Sequence, residues 1–213
     1  MAFVSGCNGS RQDLDYDFEV QQTWVTDDLG GSIVQFAAVP YQPLNTALLR
    51  SEIIAVQGVA SRRILELGCG TGYFAIQCAA EGAKQVVVLS PSREIHACVR
   101  YNVALAEQDT IVESRLVEPN AGAMSSAIAP AEQFDYVVLN TEATIDEALL
   151  AMAIQRLPTW LRGGGKGWVI CETPAAKEFV IAKCGALGFA VETMRHSDPA
   201  MSTALESFPQ TLQ

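Results

Sequence analysis

The chain has 213 residues, enough for one α/β domain with a sizeable core. Hydrophobic residues make up 49% and charged residues 18%, which excludes a disordered chain, and no apolar run approaches the roughly 18 residues that a membrane helix needs. The 24 acidic side chains against 14 basic ones give a formal net charge of −10, and Arg62–Arg63 is the only adjacent basic pair, so no broad basic face is evident and a nucleic-acid partner is disfavoured, a local basic patch staying open. Met1 to Ser10 carry neither a basic n-region nor a long apolar h-region, so no secretory signal is expected. Cys7, Cys69, Cys78, Cys98, Cys171 and Cys184 form no C-x-x-C pair, and several fall inside apolar patterns. They read as small buried hydrophobes in a reducing cytoplasm rather than as a disulfide or zinc framework. With only His96 and His196, no histidine-rich metal site is expected.

Residues 1–17 are polar, with Asp13, Asp15 and Asp17 close together, and read as a partly mobile tail. Two β-prone runs, Val20–Val25 and Ile33–Val39, flank the turn signal Asp27–Ser32 and predict a hairpin. Pro40-Tyr41-Gln42-Pro43 breaks it. A helix follows from Leu44 to about Val59, with Leu44, Leu48, Leu49, Ile53 and Val56 as its apolar stripe. Ile64–Leu67 reads as a buried strand and Tyr73–Ala80 as a helix. Strands are then expected at Gln85–Leu89, Ile111–Val117, Phe134–Asn140, Gly167–Glu172 and Phe189–Arg195. Helices are expected at Ser92–Glu107, at Ile145–Leu161 with an interruption near Pro158, and at Ala175–Leu187. Asn120–Ala131 is a loose, alanine-rich connection that can hold a short helix, Gly163-Gly164-Gly165 a turn, and Ser202–Phe208 a short seventh strand. The alternation predicts a doubly wound, mostly parallel seven-stranded sheet with helices on both faces. The domain division is a tail over 1–17, an N-terminal hairpin and helix over 18–60 acting as lid or substrate element, and the core over 61–213.

The stretch that organises the chain is Ile64-Leu65-Glu66-Leu67-Gly68-Cys69-Gly70-Thr71-Gly72. Gly68, Gly70 and Gly72 fall where a strand turns straight into a helix, whose first N–H groups lack partners. Glycines there let a ligand approach the backbone. A dinucleotide-binding G-x-G-x-x-G turn needs its third glycine at Tyr73, so a nicotinamide enzyme is not expected. The observed E-x-G-x-G-x-G resembles motif I of the class I S-adenosylmethionine methyltransferases. Gly82-Ala83-Lys84-Gln85-Val86 is similar to the approach to that family's second strand, Asn102-Val103-Ala104-Leu105 to the close of its second helix, and Phe134–Asn140 to its motif IV. The resemblance runs roughly from Ile64 to Glu172. It implies the fold, S-adenosylmethionine as cofactor and S-adenosylhomocysteine as product.

The resemblance also assigns residues. It implies that Glu66 holds the cationic methionine end and that Gly68, Cys69, Gly70, Thr71 and Gly72 form the loop around the cofactor. Ser90 stands where relatives carry an acid that takes both ribose hydroxyls. Either Ser92 or Glu94 substitutes, or cofactor affinity is lower, or the site no longer methylates. Glu118 stands where an acid reads the adenine amino group, with Asn120 as its rival. Tyr41 and Thr46 lie in a Pro-containing stretch that relatives place over the cofactor. Asn140 keeps the first residue of the Asn-Pro-Pro-Tyr of amide- and amine-methylating relatives, and Glu142 is similar to a loop glutamate of protein arginine methyltransferases. Asn140 and Glu142 are therefore the catalytic candidates, without arginine specificity. The function implied is methyl transfer, with nitrogen slightly favoured, to a protein or small molecule. Ser90 and the absent Pro-Pro-Tyr motivate the alternative, a methyltransferase fold serving as a binding subunit.

Overall fold

The computed structural model describes residues 11–26, 31–41, 43–118, 120–140, 147–171, 173–195 and 204–209. In chain order these form β1 (Val20–Thr26), β2 (Gly31–Phe36), α1 (Pro43–Leu49), a π-helical stretch (Arg50–Gln57), β3 (Arg63–Leu67), α2 (Tyr73–Ala80), β4 (Gln85–Ser90) and α3 (Arg93–Leu105). Then come β5 (Val112–Leu116), α4 (Ala121–Ala127), β6 (Phe134–Asn140), α5 (Glu147–Trp160), β7 (Leu161–Cys171), α6 (Pro174–Ala186), β8 (Glu192–Arg195) and β9 (Ala204–Pro209). Among the described residues no helix is long and apolar enough to cross a membrane.

Five strands run parallel in the order β5-β4-β3-β6-β7, and β9 and β8 continue the sheet antiparallel beyond β7. Strand order reverses between β3 and β6, and open α/β sheets bind ligands at the carboxyl ends flanking such a reversal. Both faces are covered because side chains alternate along each strand. Ile64, Val88, Val138 and Trp168 join the cluster under α2, α3 and β2, while Leu65, Leu67, Val137 and Val169 join the cluster under α4, α5 and α6. Fully burying each such side chain contributes ~1.5–3 kcal/mol. The near-continuous apolar runs at 64–67, 86–89 and 136–139 are what a doubly covered parallel strand requires. Glu66 interrupts the first of them on the Ile64 face.

The expected N-terminal hairpin forms from β1 and β2. It packs along α3. Phe36 packs against Tyr101, and the Val34 backbone bonds to Asn102. Residues 11–17, expected as a tail, are tied to the same region. Arg11 pairs with Asp109 at 2.7 Å, Asp13 with Arg100 at 2.7 Å and Asp15 with Arg93 at 2.8 Å.

Two elements, the helix after the hairpin and the glycine triplet, depart from expectation. The helix expected over 44–59 is α-helical only to Leu49 and then widens into π turns, closing at Gly58 with φ +76°. The wider turn keeps Leu48, Leu49 and Ile53 inside but carries Val56 out to 66% exposure, so Val56 is not part of the stripe. The connection after β5 forms the short helix that its sequence allows, α4, started by Asn120, whose Oδ1 accepts from the Ala123 N–H at 2.9 Å. The glycine triplet lies within β7. Pairing jumps from Phe134–Leu161 to Tyr136–Lys166, so Arg162 to Gly165 bulge from the ladder and Arg162 reaches the Asp135 carboxylate.

Candidate functional site

The site is built at the carboxyl ends of β3 and β6. Gly68, Gly70 and Gly72 all take the left-handed conformation, with φ of +81°, +51° and +80°. Each is also demanded by its neighbour. A Cβ on Gly68 would collide with the Asn140 carbonyl, one on Gly70 would lie 2.5 Å from the Pro40 carbonyl oxygen, and one on Gly72 would lie 3.0 Å from a Val99 methyl. The alternating glycines thus let β6, the 40s segment and α3 all close on one loop. Within that loop Cys69 and Thr71 are buried, and the Cys69 thiol is pushed well up by burial.

Glu66 is the electrostatic centre. It is 1% exposed, and its Oε2 has no hydrogen-bond partner. Burial pushes its carboxyl group up to about 8, so it is mostly protonated at neutral pH without a cationic partner. A buried acceptor left without a donor is costly, and a cationic N–H donor would both satisfy Oε2 and favour the ionised form. This is what the methionine end of S-adenosylmethionine offers, and the residues fit that group.

Ser90 ends β4, is fully buried, and shares a hydrogen bond with Ser114 Oγ at 2.9 Å. Ser114 in turn meets His96 Nδ1 at 2.9 Å. The Ser92 hydroxyl caps α3, accepting from the Ile95 N–H at 3.3 Å, and Glu94 is held low by its own backbone N–H and the Ser92 hydroxyl. Both substitutes considered for the ribose acid therefore serve the start of α3. Glu118 is exposed and accepts from Asn120 Nδ2 at 3.2 Å, while Asn120 itself caps α4.

The segment after the hairpin reaches over the site. Pro40 touches Gly70, and Tyr41 stacks between Trp24, 4.5 Å away, and Tyr73, 6.2 Å away. From α1, Asn45 Nδ2 donates to Asn140 Oδ1 at 3.2 Å. Asn45, Thr46 and Asn140 are all buried. The structure thus gathers Asn140, Gly68 and Gly70 with the stretch that carries Tyr41 and Thr46, and keeps Ser90 and Glu118 on the β4–β5 side. Glu142 lies outside the described residues.

Two residues were missed by sequence reasoning. The Pro-containing stretch points to Thr46 and not to its neighbour Asn45. Asn102 was seen only as part of a motif, yet its Oδ1 accepts from Val34 N–H at 2.8 Å and its Nδ2 donates to the carbonyls of Val34 at 2.8 Å and Thr71 at 3.0 Å. One side chain thereby docks the free edge of β2 onto the glycine loop. The signal was available, since an asparagine sits among the buried apolar positions of α3.

Residues 64–165 match the family model described as a methyltransferase domain. No curated protein matches the chain in sequence. Similar solved structures include the ribosomal protein L11 methylase of Lactobacillus delbrueckii subsp. bulgaricus, with TM-score 0.64, 19% identity and 82% of each chain covered. The N-methyltransferase NodS of Bradyrhizobium japonicum WM9, in complex with S-adenosyl-L-homocysteine, aligns with TM-score 0.61 and 16% identity over 82% of this chain and 90% of its own. A precorrin 8W decarboxylase from Methanobacterium thermoautotrophicum aligns with TM-score 0.63 and 15% identity over 87% of this chain and 98% of its own. At such identities the likeness establishes the fold.

Proposed function

We infer that the chain, whose residues 64–165 match a methyltransferase domain, is a class I S-adenosylmethionine-dependent methyltransferase that methylates a nitrogen on a protein or small molecule in the cytoplasm. The observation that carries the cofactor assignment is the buried Glu66 carboxylate, with Oε2 unpartnered, two residues before the left-handed glycine loop. Bound S-adenosylmethionine supplies a methyl group already activated as a sulfonium. The chain's part is to align the acceptor in line with it and to exclude water.

In this reading Glu66 holds the ammonium, Gly68 to Gly72 wrap the cofactor, Tyr41 and Thr46 lie over it, and Ser90 and Glu118 address ribose and adenine. The preference for nitrogen rests on Asn140. The residue ends β6 with its backbone carbonyl against Gly68, and an amide dipole matches the N–H and lone pair of an amine or amide acceptor. Glu142 would take the proton that a protonated amine must lose first. The net charge of −10 favours an acceptor other than nucleic acid, and the buried free thiols suit a reducing compartment. The test is label transfer from methyl-labelled S-adenosylmethionine with wild type and Asn140→Ala. Label that resists base hydrolysis and falls at least tenfold in Asn140→Ala supports nitrogen transfer through this residue. Label released as an ester overturns it.

A further inference from the structure

Two buried acceptor atoms in this site have no donor, Glu66 Oε2 and Asn45 Oδ1. Both residues are 1% exposed. Buried polar atoms in folded proteins nearly always have a partner, so each unpaired one needs an explanation. Asn45 stands in α1, and its amide is oriented by a neighbour. Nδ2 donates to Asn140 Oδ1, which leaves Oδ1 as the end without a protein donor. The same Asn140 presses its carbonyl against Gly68, and Pro40, five residues before Asn45, presses its own against Gly70. The 40s segment is therefore laid across the glycine loop, and Glu66 lies on the strand that feeds that loop.

We propose that Asn45 is a cofactor-binding residue, its Oδ1 accepting an N–H from the ammonium of the methionine end that Glu66 also holds. This rests on the methyltransferase reading. The chemistry follows from the donor count. An ammonium carries three N–H groups, so it can serve a carboxylate oxygen and an amide oxygen together, and its charge strengthens both bonds. A water molecule could donate to both oxygens but brings no charge to ionise Glu66. The contacts of the 40s segment with Gly68 and Gly70 favour the cofactor's own ammonium over an acceptor amine.

Calorimetry on the full chain with two probes tests this. S-adenosylhomocysteine carries the amino-acid end, whereas 5′-methylthioadenosine has the same nucleoside and a thioether without it. Asn45→Leu removes the acceptor at similar size and should weaken S-adenosylhomocysteine about tenfold or more while leaving 5′-methylthioadenosine within about threefold. Asn45→Asp keeps an acceptor and should hold S-adenosylhomocysteine within about threefold of wild type. If Asn45→Leu does not fold, Asn45→Ala, which removes the same acceptor without bulk, is read in its place. Equal losses for both probes would show that Asn45 only shapes the loop, and no loss for either would show that water serves it. A loss in Asn45→Asp as large as in Asn45→Leu would show that the bond to Asn140 is what matters. Each of these overturns the proposal. Failure of wild type to bind either probe would instead remove the methyltransferase reading, and this inference with it.

Discussion

Glu66→Gln offers a test in which the size and the sign of the effect both follow from the structure. The carboxyl group shifts from an ordinary 4.5 to about 8 because it is buried. Between those values the unfolded chain has ionised Glu66 while the folded chain keeps the proton. The folded state then binds more protons, so stability is greatest below the unfolded value and falls as pH rises toward the folded one, by about 1.4 kcal/mol per pH unit. Across the window the loss is on the order of 4–5 kcal/mol. Cys69 and Cys78 are the titratable groups coupled to Glu66 on this face, and burial raises both thiols well above their usual range, so neither charges in the window. Glutamine keeps the shape and has no proton to lose. Its unmatched amide donors cost about 1–3 kcal/mol at every pH, which offsets the curve without tilting it. Thermal unfolding followed by circular dichroism from about pH 4.5 to about pH 8 should show Tm of wild type falling relative to Glu66→Gln, the gap changing by roughly 10–15 °C for a chain of this size. S-adenosylhomocysteine binding near pH 7 should release about one proton in wild type and none in Glu66→Gln, read by calorimetry in buffers of different ionisation enthalpy. A gap that does not change with pH would refute the buried, protonated carboxyl group on which the cofactor assignment depends.

Asn102→Ala strands the N–H of Val34 and the carbonyl of Thr71 and leaves the Val34 carbonyl only the weak Cys98 thiol donor, and is expected to cost about 2–4 kcal/mol and to speed limited proteolysis within the hairpin before the core is cut. Unchanged hairpin protection would show that the amide does not dock β2. If Ser90 stands at the ribose position that the resemblance implies, Ser90→Asp should tighten S-adenosylhomocysteine about tenfold in calorimetry. Equal or weaker binding would mean that the Ser114–His96 chain has reshaped this wall and that another residue holds the ribose.

The sheet and its crevice were legible because local rules agree with the tertiary answer there. Apolar runs of strand length, glycines between strand and helix, and an acid inside the first strand point to one architecture, and the structure sets them in it. A 3.6-residue period places Val56 in the stripe because it cannot anticipate a π turn, which hinges on how the chain closes against the core. The glycine triplet was read as a turn, whereas β-pairing on both sides of it absorbs it as a bulge. The hydrogen-bond partners of Ser90, Ser92 and Glu94 sit on other elements or depend on the start of α3, so their residue types alone do not reveal them. Asn45 and Thr46 are adjacent and both polar, and only the contact with Asn140, 95 positions away, separates them.

Asp135 holds the far end of the same strands. Its carboxylate is 4% exposed, receives the Arg63 backbone N–H at 2.8 Å and the Arg62 guanidinium at 3.2 Å, and pairs with Arg162 from the bulge. One side chain thus pins the starts of β3, β6 and β7. Strand alignment is secured at the pole away from the ligand, leaving the opposite rim free to diversify. Loops and substrates at that rim can be exchanged, by evolution or by an engineer, while the anchored pole keeps the strands in step.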